Sequence, residues 1–171
     1  MEMNNKLVKH EIFVKPGFIY FLVEPSYLYT VVGSSVVITI FDTRNRYGGM
    51  THYIRPIRKS SNNSTPLYAC PAIIGLLNIF LNSGSQIEDL EASIYGGAEN
   101  PEAQGYIPGL SEENIRTGIE ILELKKINIV TKETGGKRGR KILFNTSSGE
   151  VIVASVDKIR STDWYPQIEE F

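Results

Sequence analysis

The chain has 171 residues, with 18 Lys and Arg against 19 Asp and Glu, which gives a formal net charge of −1. Hydrophobic residues make up 42% and charged residues 22%, which is typical of a globular domain and excludes a disordered, collagen-like or coiled-coil chain. The balanced charge provides neither a basic surface for nucleic acid nor a polybasic membrane anchor. We therefore expect no nucleic-acid partner and no membrane insertion.

The chain contains one cysteine, Cys70, and two histidines, His10 and His52. One cysteine excludes an intramolecular disulfide and a multi-cysteine metal site, and a zinc site would need mostly carboxylate ligands. Residues 1–9 lack the apolar core of a signal peptide, and the apolar run at 18–23 is too short to span a bilayer. These features predict a cytoplasmic protein without a bound metal.

The first third of the chain is predicted to form strands. Runs rich in β-branched and aromatic residues are separated by turn residues such as Pro16-Gly17 and Gly33-Ser34-Ser35. These runs are almost continuously apolar, which indicates strands that are covered on both faces. The predicted strands occupy residues 18–23, 27–32, 36–41 and 50–57, followed by a polar loop at 58–66.

The rest of the chain is predicted to alternate between helices and strands. Residues 67–81 are apolar almost all round, which predicts a buried helix. Ser111 is the predicted N-cap of a second helix that ends near residue 125. Further strands are predicted at 90–95, 127–131, 141–145 and 151–156, with a glycine-rich hairpin at 135–139.

Together these elements predict a single domain of the α/β class. Two main helices are expected to pack on mixed, mostly antiparallel sheets in a layered α+β sandwich. We assign residues 1–156 to this domain and residues 157–171 to a polar C-terminal tail.

One pair of segments has the residue types of a nucleophilic site. The Gly33-Ser34-Ser35 turn could project a nucleophile, and its N–H groups could stabilise an oxyanion. His52, on a neighbouring predicted strand, could act as the base. Taken alone, such a turn is more often only a turn, and a histidine in a strand is more often packed.

Three other features have structural interpretations. Cys70 is flanked by apolar residues, which predicts a packed and inert thiol. Residues 135–141 are glycine-rich but lack the Lys-Ser/Thr ending and the helix of a phosphate loop. His10 lies in a polar segment and is predicted to be a solvated side chain.

Five segments follow one another in the order found in a known family. They are residues 32–42 (VGSSVVITIFD), 48–56 (GGMTHYIRP), 92–98 (ASIYGGA), 134–141 (TGGKRGRK) and 144–149 (FNTSSG), with Asn114 at a helix start. They resemble segments of the CheD family, the chemoreceptor glutamine deamidases of bacterial and archaeal chemotaxis. The family's nucleophile segment reads Leu-Gly-Ser-Cys-Val-Ala-Val, and its histidine segment reads Gly-Gly-Met-Ala-His-x-x-Leu-Pro.

The resemblance implies a fold, an activity and partners. The implied fold is similar to the catalytic domain of cytotoxic necrotizing factor toxins. The implied activity is that of a hydrolase in signal transduction. It converts specific receptor glutamines to glutamates through a thioester and releases ammonia. It needs no cofactor. The implied partners are the cytoplasmic domains of chemoreceptors and the CheC phosphatase.

The resemblance also implies three site positions. The family's nucleophilic cysteine is followed 17 residues later by a histidine, and the same spacing here relates Ser35 to His52. A third polar residue, Thr or Ser, stands six positions before the nucleophile, which corresponds to Tyr29. Thr30 is adjacent, but a shift of one residue in a strand points a side chain to the opposite face.

Serine at the nucleophile position predicts weak chemistry. A cysteine beside a histidine can exist as a thiolate at neutral pH, whereas a serine hydroxyl must lose its proton during attack. Our hypothesis is that Ser35 makes the chain a poor or inactive deamidase, whether the serine is natural or introduced. The alternative is a non-catalytic adaptor that binds chemoreceptors or CheC.

Overall fold

A computed structural model describes residues 8–57 and 65–159. Within these two ranges the chain forms nine strands and two α-helices. The strands are β1 (His10–Phe13), β2 (Ile19–Leu22), β3 (Ser26–Val32), β4 (Val36–Asp42), β5 (Gly48–Tyr53), β6 (Leu90–Gly96), β7 (Asn128–Thr134), β8 (Gly139–Asn145) and β9 (Val151–Val156). The helices are α1 (Ala69–Asn82) and α2 (Leu110–Leu124), and Ile87–Asp89 forms one turn of 3₁₀ helix.

The strands pair into two mixed sheets. A four-stranded sheet has the order β1-β3-β8-β9, and a five-stranded sheet has the order β2-β5-β4-β6-β7. Each sheet contains one parallel pair, β1 with β3 and β6 with β7, while the other pairs are antiparallel. The predicted α/β class, with mixed sheets and two main helices, is confirmed.

The five-stranded sheet is covered on both faces, and β4 demonstrates how. Val36, Ile38 and Ile40 belong to a core shared with the helices, while Val37 and Phe41 belong to a core shared with the four-stranded sheet. Successive residues of a strand point to opposite faces, so the apolar run reflects this double coverage. The two-sided burial predicted from the sequence is confirmed for β4 and β5, whereas β2 is an edge strand and only half-buried.

Helix α1 is a buried helix, as predicted, but its cysteine is not packed. Its buried face is made of Ala69, Ala72, Ile73, Leu76, Leu77 and Phe80. Cys70 follows Ala69 by one residue, about 100° around the helix axis, and therefore lies off this face. Cys70 is exposed, and the prediction of a packed thiol is wrong.

Helix α2 begins one residue earlier than its predicted cap. Gly109 occupies the N-cap position with a left-handed φ of 77°, so the prediction that Ser111 is the N-cap is wrong. Ser111 is the second residue of the helix, and its hydroxyl instead donates to the Ala98 carbonyl at 2.8 Å. The buried residues of the helix are Ser111, Asn114, Gly118 and Leu122, which share one face at helical spacing.

Two long-range pairings differ from the sequence-based expectations. β1 was not expected, because its residues alternate weakly and its stability depends on parallel pairing with β3. The predicted hairpin at 135–139 is wrong, since β7 pairs with β6 while β8 pairs with β3 in the other sheet. Residues 135–138 therefore cross between the sheets.

His10 is exposed, as predicted, with its Nε2 atom 3.8 Å from the Glu24 carboxylate. Residues 1–7, most of the predicted polar loop (58–64) and most of the predicted tail (160–171) lie outside the described residues.

Candidate functional site

Ser35 lies in the turn that connects β3 of the four-stranded sheet to β4 of the five-stranded sheet. Ser35 is 2% exposed, whereas the neighbouring Ser34 is exposed. The Gly97 N–H donates to the Ser35 carbonyl at 2.8 Å, and the Ala98 N–H donates to the Gly33 carbonyl at 2.7 Å. These two bonds hold the turn against the end of β6.

The close approach of β6 to this turn requires glycine at position 96. Gly96 has φ of 110°, and a Cβ atom built on it would lie 2.4 Å from the Ser35 carbonyl oxygen. Any other residue would be strained at this φ and would also push the turn away from β6.

His52 lies in β5, opposite Val37 of β4, and its side chain is fully buried. Its Nε2 atom is 2.8 Å from the Ser35 hydroxyl oxygen. The sequence spacing of 17 residues therefore corresponds to a direct hydrogen bond between the two side chains.

Thr30, and not Tyr29, lies beside the other ring nitrogen of His52. The Thr30 hydroxyl oxygen is 3.2 Å from His52 Nδ1, and Thr30 is 1% exposed. Tyr29 points to the outer face of the sheet, where it is 38% exposed and its ring contacts Phe13 edge-on at 5.3 Å. Thr30 has the same parity along β3 as the buried residues Leu28 and Val32, so all three share the inward face.

The hydrogen bonds around Thr30 determine which nitrogen of His52 carries the proton. The Thr30 hydroxyl donates to the Val14 carbonyl at 2.7 Å, so towards His52 its oxygen can only accept. The Val14 carbonyl, itself an acceptor, also bonds the His52 ring. Nδ1 must therefore be the protonated nitrogen, which leaves the lone pair of Nε2 directed at the Ser35 hydroxyl.

Burial keeps His52 neutral. Removal of the ring from water lowers the pKa of His52 to about 4, although its hydrogen bond to the Val14 carbonyl acts in the opposite direction. At neutral pH the imidazole is uncharged, so Nε2 can accept a proton from a hydroxyl group.

The turn also presents backbone donors. No hydrogen bond from the N–H of Ser34 or Ser35 to another group is found in the part of the chain that the structure describes. The bonds that hold the turn against β6 use the carbonyls of Gly33 and Ser35 and leave these N–H groups unused.

Asn114 connects the turn to the chain beyond β5. Its Nδ2 atom donates to the carbonyls of Ser34 at 3.1 Å and Ile54 at 3.2 Å. The sequence indicated Asn114 only as a position shared with a family motif. A contact across 80 residues leaves no local pattern from which it could be predicted.

No group of three potential metal ligands is found among residues 8–57 and 65–159. No helix within the same ranges is long and apolar enough to cross a membrane.

Comparisons with known proteins identify the family. The family model described as CheD chemotactic sensory transduction matches residues 55–155. The chain is 34% identical over 149 residues to a protein of Sulfurimonas denitrificans named probable chemoreceptor glutamine deamidase CheD, covering 85% of this chain and 94% of that protein. A protein of the same name from Trichlorobacter lovleyi is 33% identical over 141 residues, covering 82% and 88%.

A third relative, from Geobacter sulfurreducens and named probable chemoreceptor glutamine deamidase CheD 2, is 28% identical over 147 residues, with 86% of this chain and 91% of that protein covered. Alignments of this extent necessarily include Thr30, Ser35 and His52, which precede the start of the family-model match. The chain therefore belongs to the CheD family.

Proposed function

We propose that this chain is a protein-glutamine amidohydrolase that acts on the cytoplasmic regions of chemoreceptors. Ser35 is the nucleophile, His52 the general base, and Thr30 the residue that orients His52. The observation that carries the proposal is the continuous hydrogen-bond chain from Ser35 through both ring nitrogens of His52 to Thr30. The names of the relatives supply the substrate class.

The first half of the reaction forms an ester. The Ser35 hydroxyl oxygen attacks the side-chain carbonyl carbon of glutamine while His52 Nε2 takes the hydroxyl proton. The oxyanion that develops is stabilised by the free N–H groups of the turn. When the C–N bond breaks, protonated His52 returns the proton to the leaving nitrogen, and ammonia departs.

The second half of the reaction restores the enzyme. A water molecule transfers a proton to His52 and attacks the ester carbonyl, and the C–O bond to Ser35 breaks. Glutamate leaves as Ser35 recovers its proton from His52. The net reaction consumes one water per glutamine and needs only the residues described.

The recessed position of Ser35 favours glutamine over asparagine. Ser35 is almost completely buried behind the exposed Ser34, so a substrate must extend its carboxamide inward from the surface. Glutamine has one more methylene group than asparagine between its backbone and its carboxamide. We therefore expect glutamine peptides to react and matched asparagine peptides not to react.

The low pKa of His52 predicts slow deamidation by the chain with serine at position 35. With a pKa of about 4, His52 is a weak base for removing a proton from an alcohol. A thiol at position 35 would have a reference pKa of about 8.5 and would transfer its proton far more readily. We expect the Ser35→Cys variant to be at least about tenfold faster than the chain with serine.

The test is mass spectrometry of a chemoreceptor cytoplasmic fragment after incubation with each protein. Conversion of glutamine to glutamate changes the peptide mass, and ammonia release provides an independent count. The chain itself and the Ser35→Cys variant are compared, each with and without His52→Gln. Conversion that requires His52 supports the proposal, and conversion that survives His52→Gln contradicts the assigned base.

The second candidate is an adaptor that binds chemoreceptors or the CheC phosphatase without chemistry. The serine at position 35 and the low pKa of His52 favour it. Saturable binding of the receptor fragment to the Ser35→Ala variant, without conversion by either the serine or the cysteine protein, would support this role and contradict the amidohydrolase proposal.

A further inference from the structure

We propose that Asn114 is a positioning residue that holds Ser35 and His52 at hydrogen-bonding distance. This inference rests on the proposed function for its kinetic consequence, but its geometric consequence can be measured without substrate. Asn114 does not contact the reacting atoms. It acts through the backbone on either side of the site.

The Asn114 carboxamide holds two segments of chain that each adjoin a site residue. Its Nδ2 atom donates to the carbonyl of Ser34, the residue before Ser35, and to the carbonyl of Ile54, two residues after His52. One side chain of α2 thus joins the nucleophile turn to the residue that follows β5. A change in this contact alters the separation of Ser35 and His52.

The orientation of this carboxamide is determined by its contacts. Both hydrogens of Nδ2 are used by carbonyl oxygens, and a flipped amide would place Oδ1 against these same two oxygens. In this orientation Oδ1 is buried and, among the described residues, has no hydrogen-bond partner. A buried acceptor without a partner costs free energy, so the two hydrogen bonds from Nδ2 must offset this cost.

Contacts other than the Asn114 side chain also hold α2 in position. Ser111 bonds to the Ala98 carbonyl at 2.8 Å, and the Tyr53 hydroxyl donates to the backbone carbonyl of Asn114 at 2.7 Å. Gly118 also lies against Tyr53, since a Cβ atom there would lie 2.3 Å from the Tyr53 hydroxyl oxygen. Replacement of the Asn114 side chain therefore releases the turn while these other contacts retain the helix.

The expected kinetic effect follows from the demand for alignment. Displacement of a catalytic group by about 1 Å, caused by a change outside the reacting atoms, reduces a rate by about 100-fold. We expect Asn114→Leu, which removes both donors and keeps the number and branching of the side-chain heavy atoms, to lower kcat by about this factor with little change in KM. The kinetic comparison is made in the Ser35→Cys background, where turnover is fastest.

The geometric test is ¹⁵N NMR of the His52 imidazole in the full chain. His10→Gln removes the only other histidine, so the remaining signals are those of His52. We expect a protonated Nδ1 and a hydrogen-bonded Nε2 in this parent protein. In Asn114→Leu, and in the isosteric Asn114→Asp, the Nε2 signal should move towards the value of an imidazole without that hydrogen bond.

Thr146→Val is the matched control. Thr146 is also buried and bonds to the Ser26 backbone, but at the end of β3 opposite to the turn. It should lower stability without moving the Nε2 signal or kcat.

The inference is overturned if a folded Asn114 variant keeps both the parent Nε2 signal and the parent kcat. It is also overturned if neither Asn114 variant folds while Thr146→Val does, because Asn114 is then structural. If the Ser35→Cys protein converts no glutamine, the proposed function fails, and the NMR comparison still decides the role of Asn114.

Discussion

The burial of an uncharged histidine makes the stability of this protein depend on pH in a window that His52 defines. The pKa of His52 is about 4 in the folded chain, against a reference value of 6.5. Between these values the unfolded chain binds a proton that the folded chain does not. Stability from His52 is therefore complete above pH 6.5 and decreases as the pH falls towards 4.

The magnitude follows from the two pKa values. The difference corresponds to roughly 3 kcal/mol in total, of which about 2 kcal/mol is lost on going from neutral pH to about pH 5. The perturbation is His52→Gln, which removes the titrating group and keeps a neutral polar side chain. The matched control is His10→Gln, since His10 is exposed.

The assay is urea unfolding of all three proteins near neutral pH and near pH 5. Carboxylates contribute to the pH dependence of every protein and cancel in the comparison. The parent and His10→Gln should lose about 2 kcal/mol more than His52→Gln when the pH is lowered. Equal losses in all three proteins would refute the reasoning, because His52 would then not be buried in its neutral form.

Three further predictions concern other contacts. Thr30→Val should reduce deamidation by the Ser35→Cys protein by about 10- to 100-fold, because His52 Nδ1 loses an acceptor. Tyr29→Phe should leave the rate of deamidation unchanged. Peptide mass spectrometry checks both variants, and an equal effect would contradict the assignment of Thr30. Gly96→Ala should lower the free energy of unfolding, measured in urea, by about 3 kcal/mol. Gly105 also has a positive φ but has open space around it, so Gly105→Ala should lower this free energy by only about 1 kcal/mol. Similar losses in the two variants would contradict the close approach of β6 to the turn. Cys70 should react fully with a thiol reagent in the native protein, and a reaction that needs denaturant would contradict its exposure.

Strands β4 and β5 of the five-stranded sheet could be predicted from sequence because coverage on both faces leaves a local signal. Each apolar run of β4 and β5 reflects the two cores on either side of it. The partnership of β8 with β3 leaves no such signal, since it joins residues more than a hundred positions apart. For the same reason a glycine-rich segment that crosses between sheets was predicted as a hairpin.

The site could be predicted in part. The spacing of Ser35 and His52 predicted their contact because the same spacing separates the two site residues in the family motif. The structure brings these two side chains together. The choice between Tyr29 and Thr30 depends on which face of β3 meets the other sheet. The alternation of Leu28, Thr30 and Val32 along β3 places Thr30 on the inward face. The family spacing, six positions before the nucleophile, instead pointed to Tyr29.

The hydrogen-bond chain at the site links the two sheets. His52 lies in the five-stranded sheet and Thr30 in the four-stranded sheet, while Ser35 lies in the turn that joins the two sheets. β3 is held in its sheet by β8, which lies more than a hundred residues further along the chain. During synthesis, the complete hydrogen-bond chain can therefore form only after β8 has been made and the two sheets have docked. A nascent or partly unfolded chain therefore lacks the ordered arrangement of Ser35, His52 and Thr30.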